Sequence, residues 1–226
     1  MTTVLRVLSY NIRSLRDDPA AVVRVIRSCR PDVVCLQEAP RLLGWRLGRW
    51  RLARRCGLRA AVRRRPGGLE ILTGPGVTVE RRRHRRLRRH PRLQLRALST
   101  AVVRMAGRRA AVAVSHLDLC ERARLEHAEQ VLAFLERENA PVVLAVDVNE
   151  ESHGPAWRLL ADRLVDAGSG AGPTFPARRP RNRIDTVFVD PRLTVLAAGV
   201  PREPSAQDLA AASDHLPVLA EISLEE

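Results

Sequence analysis

The apolar positions of this chain fall into short runs set off by polar and turn-forming residues. Val4 to Leu8, Val33 to Leu36, Ala110 to Val114 and Val142 to Val146 are each too short for a helix that buries a face, and read as buried strands. Thr186 to Val189 and Leu216 to Ile222 read the same way. Between them the spacing turns helical. Ala20 to Cys29 gathers Val22, Val23, Val25 and Ile26 on one face and turns Arg24 and Arg27 outward. Asp18 suits its N-cap, Pro19 its first position, and Pro31 ends it. Glu121 to Arg137 carries the stripe Leu125, Ala128, Val131, Leu132 and Leu135, and Gly154-Pro155 opens a further helix over Ala156 to Leu164. Strand–helix–strand succession predicts an α/β protein.

The middle of the chain is less regular. Gly67-Gly68 marks a turn before a strand over Leu69 to Thr73, and Val77 to Glu80 suggests another. Strands are expected again near Leu93 to Leu98 and Ala101 to Met105, with Ala106-Gly107-Arg108-Arg109 as a hairpin turn. Pro40 to Arg65 has no clear period, and Trp45 and Trp50 are expected to anchor it to the body. The basic tract Arg81, Arg82, Arg83, Arg85, Arg86, Arg88, Arg89 and Arg92 suits either contact with a phosphate backbone or a solvated edge.

Composition narrows the class. With 226 residues and 45% hydrophobic content, one domain over residues 1–226 with a sizeable core is expected. Aromatics are only 3%, so Val, Leu and Ala must fill that core. No apolar stretch is long enough to cross a membrane and no secretory leader is visible, so a cytoplasmic location is expected. Cys29, Cys35, Cys56 and Cys120 form no C-x-x-C pair and read as buried free thiols. The net charge is +14, and all 39 basic residues are arginine. That excess suits a polyanionic partner. Complete exclusion of lysine is also what a GC-rich coding bias produces, so the charge says more about phosphate than about which phosphate.

The chemistry lies at the ends of the strand-like runs. Tyr10-Asn11, Gln37-Glu38, Ser115-His116-Leu117 and Asp147-Val148-Asn149 follow their runs, whereas Arg183-Ile184-Asp185 and Ser213-Asp214-His215 precede theirs. If the first four strands point one way and the last two the other, all six motifs meet on one rim. Asn11, Glu38, His116, Asp147, Asn149, Asp185, Asp214 and His215 would then form a cluster of oxygen ligands and imidazoles, suited to a divalent cation and a phosphate ester. Asp147 and Asn149, two apart on an extended segment, would share a face and hold one water. Asp185 would fix the tautomer of His215 and raise its pKa. Alone, a strand-end Asp is usually a turn former and a strand-end His a structural residue. Six such motifs in this order make chance the weaker account.

The order N, Q-E, H-L, D-x-N, R-I-D, S-D-H resembles the endonuclease/exonuclease/phosphatase superfamily, the deoxyribonuclease-I-like group, from Val4 to Ile222. The resemblance implies a four-layer α/β sandwich, two mixed sheets packed face to face between helices. It implies a Mg²⁺- or Mn²⁺-dependent phosphoesterase, with Asn11, Glu38 and Asp214 on the metal side. Asp147 would activate water beside Asn149, and His116 and the Asp185–His215 pair would face the phosphate. Three positions depart from the family pattern: Val146 stands where Gly is usual, Thr186 where Tyr is frequent, and Glu70 lies in the glycine-led strand. DNA or RNA is the substrate that the charge favours, with a lipid, sugar or nucleotide phosphate as the rival. A non-catalytic nucleic-acid-binding protein of the same fold is the alternative from another class. A monomer is expected. Phe175 would either stack on a base or pin its own loop.

Overall fold

The computed structural model describes residues 2–63 and 66–225. In chain order the elements are β1 (Val4–Asn11), α1 (Pro19–Cys29), β2 (Val33–Gln37), α2 (Trp45–Arg55), β3 (Arg59–Arg63), β4 (Glu70–Thr73), β5 (Thr78–Arg86), β6 (Ala97–Met105) and β7 (Arg108–His116). There follow α3 (Glu121–Leu135), β8 (Val142–Asp147), α4 (Pro155–Ala161), β9 (Val165–Asp166), β10 (Asp185–Val189), β11 (Thr194–Gly199), α5 (Ala206–Ala212) and β12 (Val218–Ser223). The strands form two six-stranded sheets, ordered β11-β12-β1-β2-β4-β3 and β5-β6-β7-β8-β10-β9.

Both sheets are mixed, and they repeat one plan. β1 pairs β2 in parallel across the crossover helix α1, and β7 pairs β8 in parallel across α3. On the flanks, β12 runs antiparallel to β1 and β10 antiparallel to β8. The strand directions therefore bring the C-terminal ends of β1, β2, β7 and β8 to the same rim as the N-terminal ends of β10 and β12.

Side-chain alternation sorts the core into three apolar layers. Leu5, Val7, Val33 and Cys35 of the first sheet meet Val112, Val114, Val143, Ala145 and Val187 of the second. The opposite face of the first sheet, Leu8, Tyr10, Val34 and Leu36, packs on Val22, Val25 and Ile26 of α1 and on Leu52 and Ala53 of α2. The opposite face of the second, Leu144, Val146 and Phe188, packs on Val131 and Leu135 of α3 and Trp157 of α4. The result is the four-layer α/β sandwich. Asp18 caps α1 through Ala20 N–H at 2.7 Å, with Pro19 at its first turn.

Several elements differ from expectation. Pro40 to Arg65, of which Arg64 and Arg65 lie outside the described residues, contains α2 and β3; half-buried Trp45 packs on the Arg49 guanidinium at 5.0 Å, whereas Trp50 does not anchor the stretch. Trp50 is 44% exposed, whereas Arg49, Leu52 and Ala53 are buried. Arg49 donates to the carbonyls of Ala39, Pro40 and Leu69 and forms a buried ion pair with Glu70, which explains the unexpected acid in β4. The strand begun at Val77 continues through most of the basic tract as the edge strand β5, paired to β6 along its length. Arg81 and Arg83 ion-pair with Glu138, so part of the tract is occupied within the protein. The two short strands expected near Leu93 and Ala101 are one, β6. β9, β11 and α5 have no counterpart among the elements the residue pattern predicts. Of the four free cysteines, Cys29 and Cys35 are buried, but Cys56 is half-buried and Cys120 exposed.

Candidate active site

The same alternation that builds the central layer delivers the site. On β1 the residues facing the other sheet are Leu5, Val7, Ser9 and then Asn11; on β8 they are Val143, Ala145 and then Asp147. His116 continues Val112 and Val114 of β7, and Asp185 precedes Val187 of β10. Each strand thus carries its polar residue at the end of the apolar row that faces the partner sheet. The four meet where the two sheets open.

Asp147 is the hub. Its Oδ2 accepts from Asn11 Nδ2 at 2.8 Å and lies 3.3 Å from His116 Nε2 and 3.9 Å from His215 Nε2. Its Oδ1 accepts the Asn149 N–H at 3.1 Å. Asn11 Nδ2 also lies 3.5 Å from Glu38 Oε1 and from His215 Nε2. Across the cleft, His215 Nδ1 is 2.9 Å from Asp185 Oδ2, which also accepts the Thr174 hydroxyl at 2.7 Å. The Thr174 oxygen in turn accepts the N–H groups of Ile184 and Asp185 at 3.2 Å. Ser213 sets the turn: its hydroxyl donates to Asn11 O at 2.8 Å and accepts the His215 N–H at 3.3 Å. Asp214 is the outlying member, half-buried and paired through Oδ2 with Arg13 Nε at 3.2 Å.

Charge is distributed unevenly. Burial raises the Asp147 pKa, and the nearby Asp185 adds to it; His215 and Asn11 offset part of this and leave it at about 7. Burial opposes the charged form of His215, but the charge and hydrogen bond of Asp185 outweigh it and lift its pKa to about 10. His116 is held well below the usual histidine value, by burial first and then by the charges of Arg96 and His215. One imidazole is therefore cationic at neutral pH and the other neutral.

Asn149 is not on an extended segment. Its φ is +59°, and its side-chain amide donates to Leu117 O at 2.9 Å, so it clamps the loop after β7 while its backbone N–H holds Asp147. Glu38 has φ +48°, and the turn after Asn11 places Arg13, Ser14 and Leu15 at φ +43°, +56° and +57°. Left-handed backbone costs a non-glycine residue about 1 kcal/mol or more. Hydrogen bonds hold it here: Ile12 N–H donates to Gln37 O at 3.1 Å and Ser14 N–H to Glu38 O at 2.8 Å. Val146 does not crowd the rim, because its side chain points into the helix-facing layer. Thr186 donates to Asp166 at 2.6 Å.

Three further residues near the rim lie outside the six strand-end motifs. Arg96, 6% exposed, lies 3.4 Å from Asp118 and within the electrostatic reach of Asp147 and Glu38. Asp118, two residues after His116, also accepts the Cys120 N–H at 3.0 Å. Thr174 supports Asp185, as described. The polar Asp118 directly after Leu117 was the available signal; Arg96 was hidden among many arginines. Phe175 is half-buried with its ring 4.9 Å from that of His215.

The donor set fits a hard divalent cation. Asp147 and Asp185 converge with His116 and His215, Asn11 Nδ2 bridges Asp147 to Glu38, and Asp214, paired with Arg13, lies to one side. A raised Asp147 pKa is what an undercompensated carboxylate shows. Asp147, Asp185 and His215 bring ligand atoms within 4.8 Å of one another.

The chain belongs to the Endonuclease/Exonuclease/phosphatase family, whose model matches residues 8–215. It is a phosphoesterase of that family, built on an α/β sandwich. Among solved structures it is similar to an endonuclease/exonuclease/phosphatase family protein from Bacteroides thetaiotaomicron, 21% identical over 100% of both chains with a TM-score of 0.83. The mannosyl-6-phosphatase Bt3783 of the same organism is 19% identical over 96% of this chain and 99% of its own, TM-score 0.79. TDP2 from D. rerio, solved with a single-stranded DNA product, is 17% identical over 98% of this chain and 99% of its own, TM-score 0.73. At these identities the likeness is one of fold. No curated protein matches.

Proposed function

We propose that this protein is a Mg²⁺- or Mn²⁺-dependent phosphoesterase in which Asp147 activates the attacking water and the Asp185–His215 pair faces the phosphate. The carrying observation is the hub at Asp147, with Asn11, His116 and His215 all within 4 Å of one oxygen. Glu38, Asn11 and Asp214 would hold the metal, which when bound neutralises phosphate oxygens and lowers the cost of the attacking hydroxide. Asn11 currently turns its amide nitrogen to Glu38 and Asp147, and its oxygen to the Arg13 N–H at 3.1 Å. Nitrogen and oxygen of the amide exchange by a flip, so either end can serve the cluster.

The chain's own residues divide the remaining work. Asp147 takes the proton of the water, and its raised pKa suits a base poised near neutral pH. His215 presents Nε2–H as a cationic donor to the developing charge, because Asp185 occupies Nδ1. A cationic imidazole is a poor metal ligand, which assigns His215 to the phosphate rather than to the metal. Neutral His116 donates from Nε2. Asn149 keeps Asp147 oriented through its backbone N–H.

DNA or RNA is the substrate that the net charge of +14 favours, and the Phe175 ring beside His215 offers a face for a base. A lipid or small phosphate ester is the second reading, favoured by the exposed apolar residues after Glu38. Turnover should be screened with Mg²⁺ or Mn²⁺ across DNA, RNA, nucleotides, sugar phosphates and phospholipids, with Asp147→Ala as the blank. Hydrolysis that EDTA abolishes and the blank lacks supports the proposal. Wild-type turnover indifferent to EDTA overturns the metal role, and DNA binding without hydrolysis of any substrate overturns catalysis.

A further inference from the structure

The loop and helix that follow Glu38 hold large apolar side chains in water. Leu42 is 79% exposed, Leu43 106%, Leu47 49% and Trp50 44%. Leu47 and Trp50 stand on a firmly docked helix. The opposite face of α2 is fixed by buried Leu52, Ala53 and Arg49, whose guanidinium donates to three carbonyls. At helical spacing, Leu47, Trp50 and Arg54 share the outward face.

The surround of these residues is cationic. From Ala39 to Leu58 there are six arginines and neither Asp nor Glu. Arg46, Arg51 and Arg54 are exposed; Arg54 lies over the Trp50 ring at 4.8 Å and Arg46 over the Trp45 ring at 5.5 Å. Adjacent exposed leucines beside exposed guanidinium groups and indoles match the chemistry of an anionic membrane surface, which offers acyl chains, an interfacial belt and phosphate. A second copy of this chain would bring like charges together. Single-stranded nucleic acid would stack on the indoles but leave Leu42 and Leu43 without a partner.

We propose that Leu42, Leu43, Leu47 and Trp50, ringed by Arg46, Arg51 and Arg54, dock the protein on an anionic lipid bilayer. The surface starts a few residues after Glu38, so a docked molecule carries its catalytic rim close to the membrane. This concerns where the enzyme works and stands whichever ester it cleaves.

The test is co-sedimentation of the full chain with vesicles of phosphatidylcholine alone or mixed with phosphatidylglycerol. Binding to the mixed vesicles, weakened by salt and lost about tenfold or more in Leu42→Glu/Leu43→Glu, supports docking. Brominated lipid should quench the tryptophan emission, and Trp50→Phe should remove most of that quenching. The leucine variant should keep its melting temperature and its turnover of a soluble ester, since neither residue is in the site; Leu42→Ser/Leu43→Ser serves if the glutamates disturb folding. Absence of binding to the mixed vesicles overturns the proposal, as does equal binding by the leucine variants. A dimer in solution that the leucine substitutions dissolve also overturns it, as does a single-stranded oligonucleotide whose binding depends on Leu42 and Leu43. Vesicle binding is read without turnover, so its failure is separate from failure of the catalytic reading.

Discussion

Asp185 Oδ2 lies 2.9 Å from His215 Nδ1 and simultaneously accepts the Thr174 hydroxyl at 2.7 Å. The second bond aims the first. With one carboxylate oxygen held by Thr174, the carboxylate cannot swing away from the ring, and His215 is fixed in the orientation that turns Nε2 toward Asp147.

Asp185→Asn should keep the shape of that contact and remove its charge. Turnover should fall by about 10²- to 10³-fold, the range for losing one charged donor to the transition state. In metal-free protein the imidazole pKa of His215, followed by NMR, should drop from about 10 toward ordinary histidine values. An unchanged titration would sink the role assigned to Asp185. Thr174→Val should produce a smaller shift in the same direction.

The two raised pKa values make metal-free stability depend on pH with a definite sign. A group that binds its proton more tightly when folded stabilises the fold below its unfolded pKa and loses that contribution as pH rises through the folded value. For Asp147 the loss spans about 4 to 7, and for His215 about 6.5 to 10. Metal-free protein should therefore lose stability toward alkaline pH. Mg²⁺ or Mn²⁺ should raise the melting temperature more at pH 7 than at pH 5, because a cation beside Asp147 favours its ionised form, which is scarce at pH 5. A cation effect equal at both values would count against a carboxylate-lined site.

Arg96 and Asp118 form a buried pair at 3.4 Å beside the site. Arg96→Met should destabilise the protein by about 3 kcal/mol, since breaking a buried pair strands the remaining charge. Adding Asp118→Asn should recover part of that loss. The Arg96 variants should also raise the His116 pKa, which Arg96 now helps to depress. Additive single and double variants in denaturant titration would show that the pair is not coupled.

Val146→Gly restores the residue usual in the family and should be costly here. Its side chain fills the layer among Leu144, Trp157 and Phe188. Loss of the buried volume and added chain freedom should cost about 2 to 4 kcal/mol. Turnover of folded protein should remain within a few-fold of wild type, because the valine does not face the rim. A large fall in turnover with stability intact would place Val146 at the site after all.

Much of the fold was legible because period-two and helical spacing are local. Val33 to Leu36 and Val142 to Val146 need no partner to be read as strands, and Asp18-Pro19 announces its helix by side-chain chemistry alone. α2 was not legible. Its buried face consists of Arg49, Leu52 and Ala53, and a guanidinium becomes core only when Ala39, Pro40, Leu69 and Glu70 are folded around it. Trp50 departs from expectation for the same reason: an indole is read as an anchor, yet this one faces outward, while Trp45 packs on Arg49. Glu38 gave no sign of left-handed backbone, since the hydrogen bond that holds its loop comes from Ser14, far away in the chain.

The residue order alone determined which side chains stand at strand ends, and hence that carboxylates, amides and imidazoles recur at the close of apolar rows. That follows from alternation, which is a property of neighbours in sequence. Only the tertiary structure decided that antiparallel β10 and β12 turn Asp185 and His215 back onto the rim reached by β1 and β8. It also decided that Asp147 becomes the hub and that the two imidazoles differ in charge. Those outcomes depend on burial and on distances between residues far apart in the chain, and neither exists until the two sheets pack.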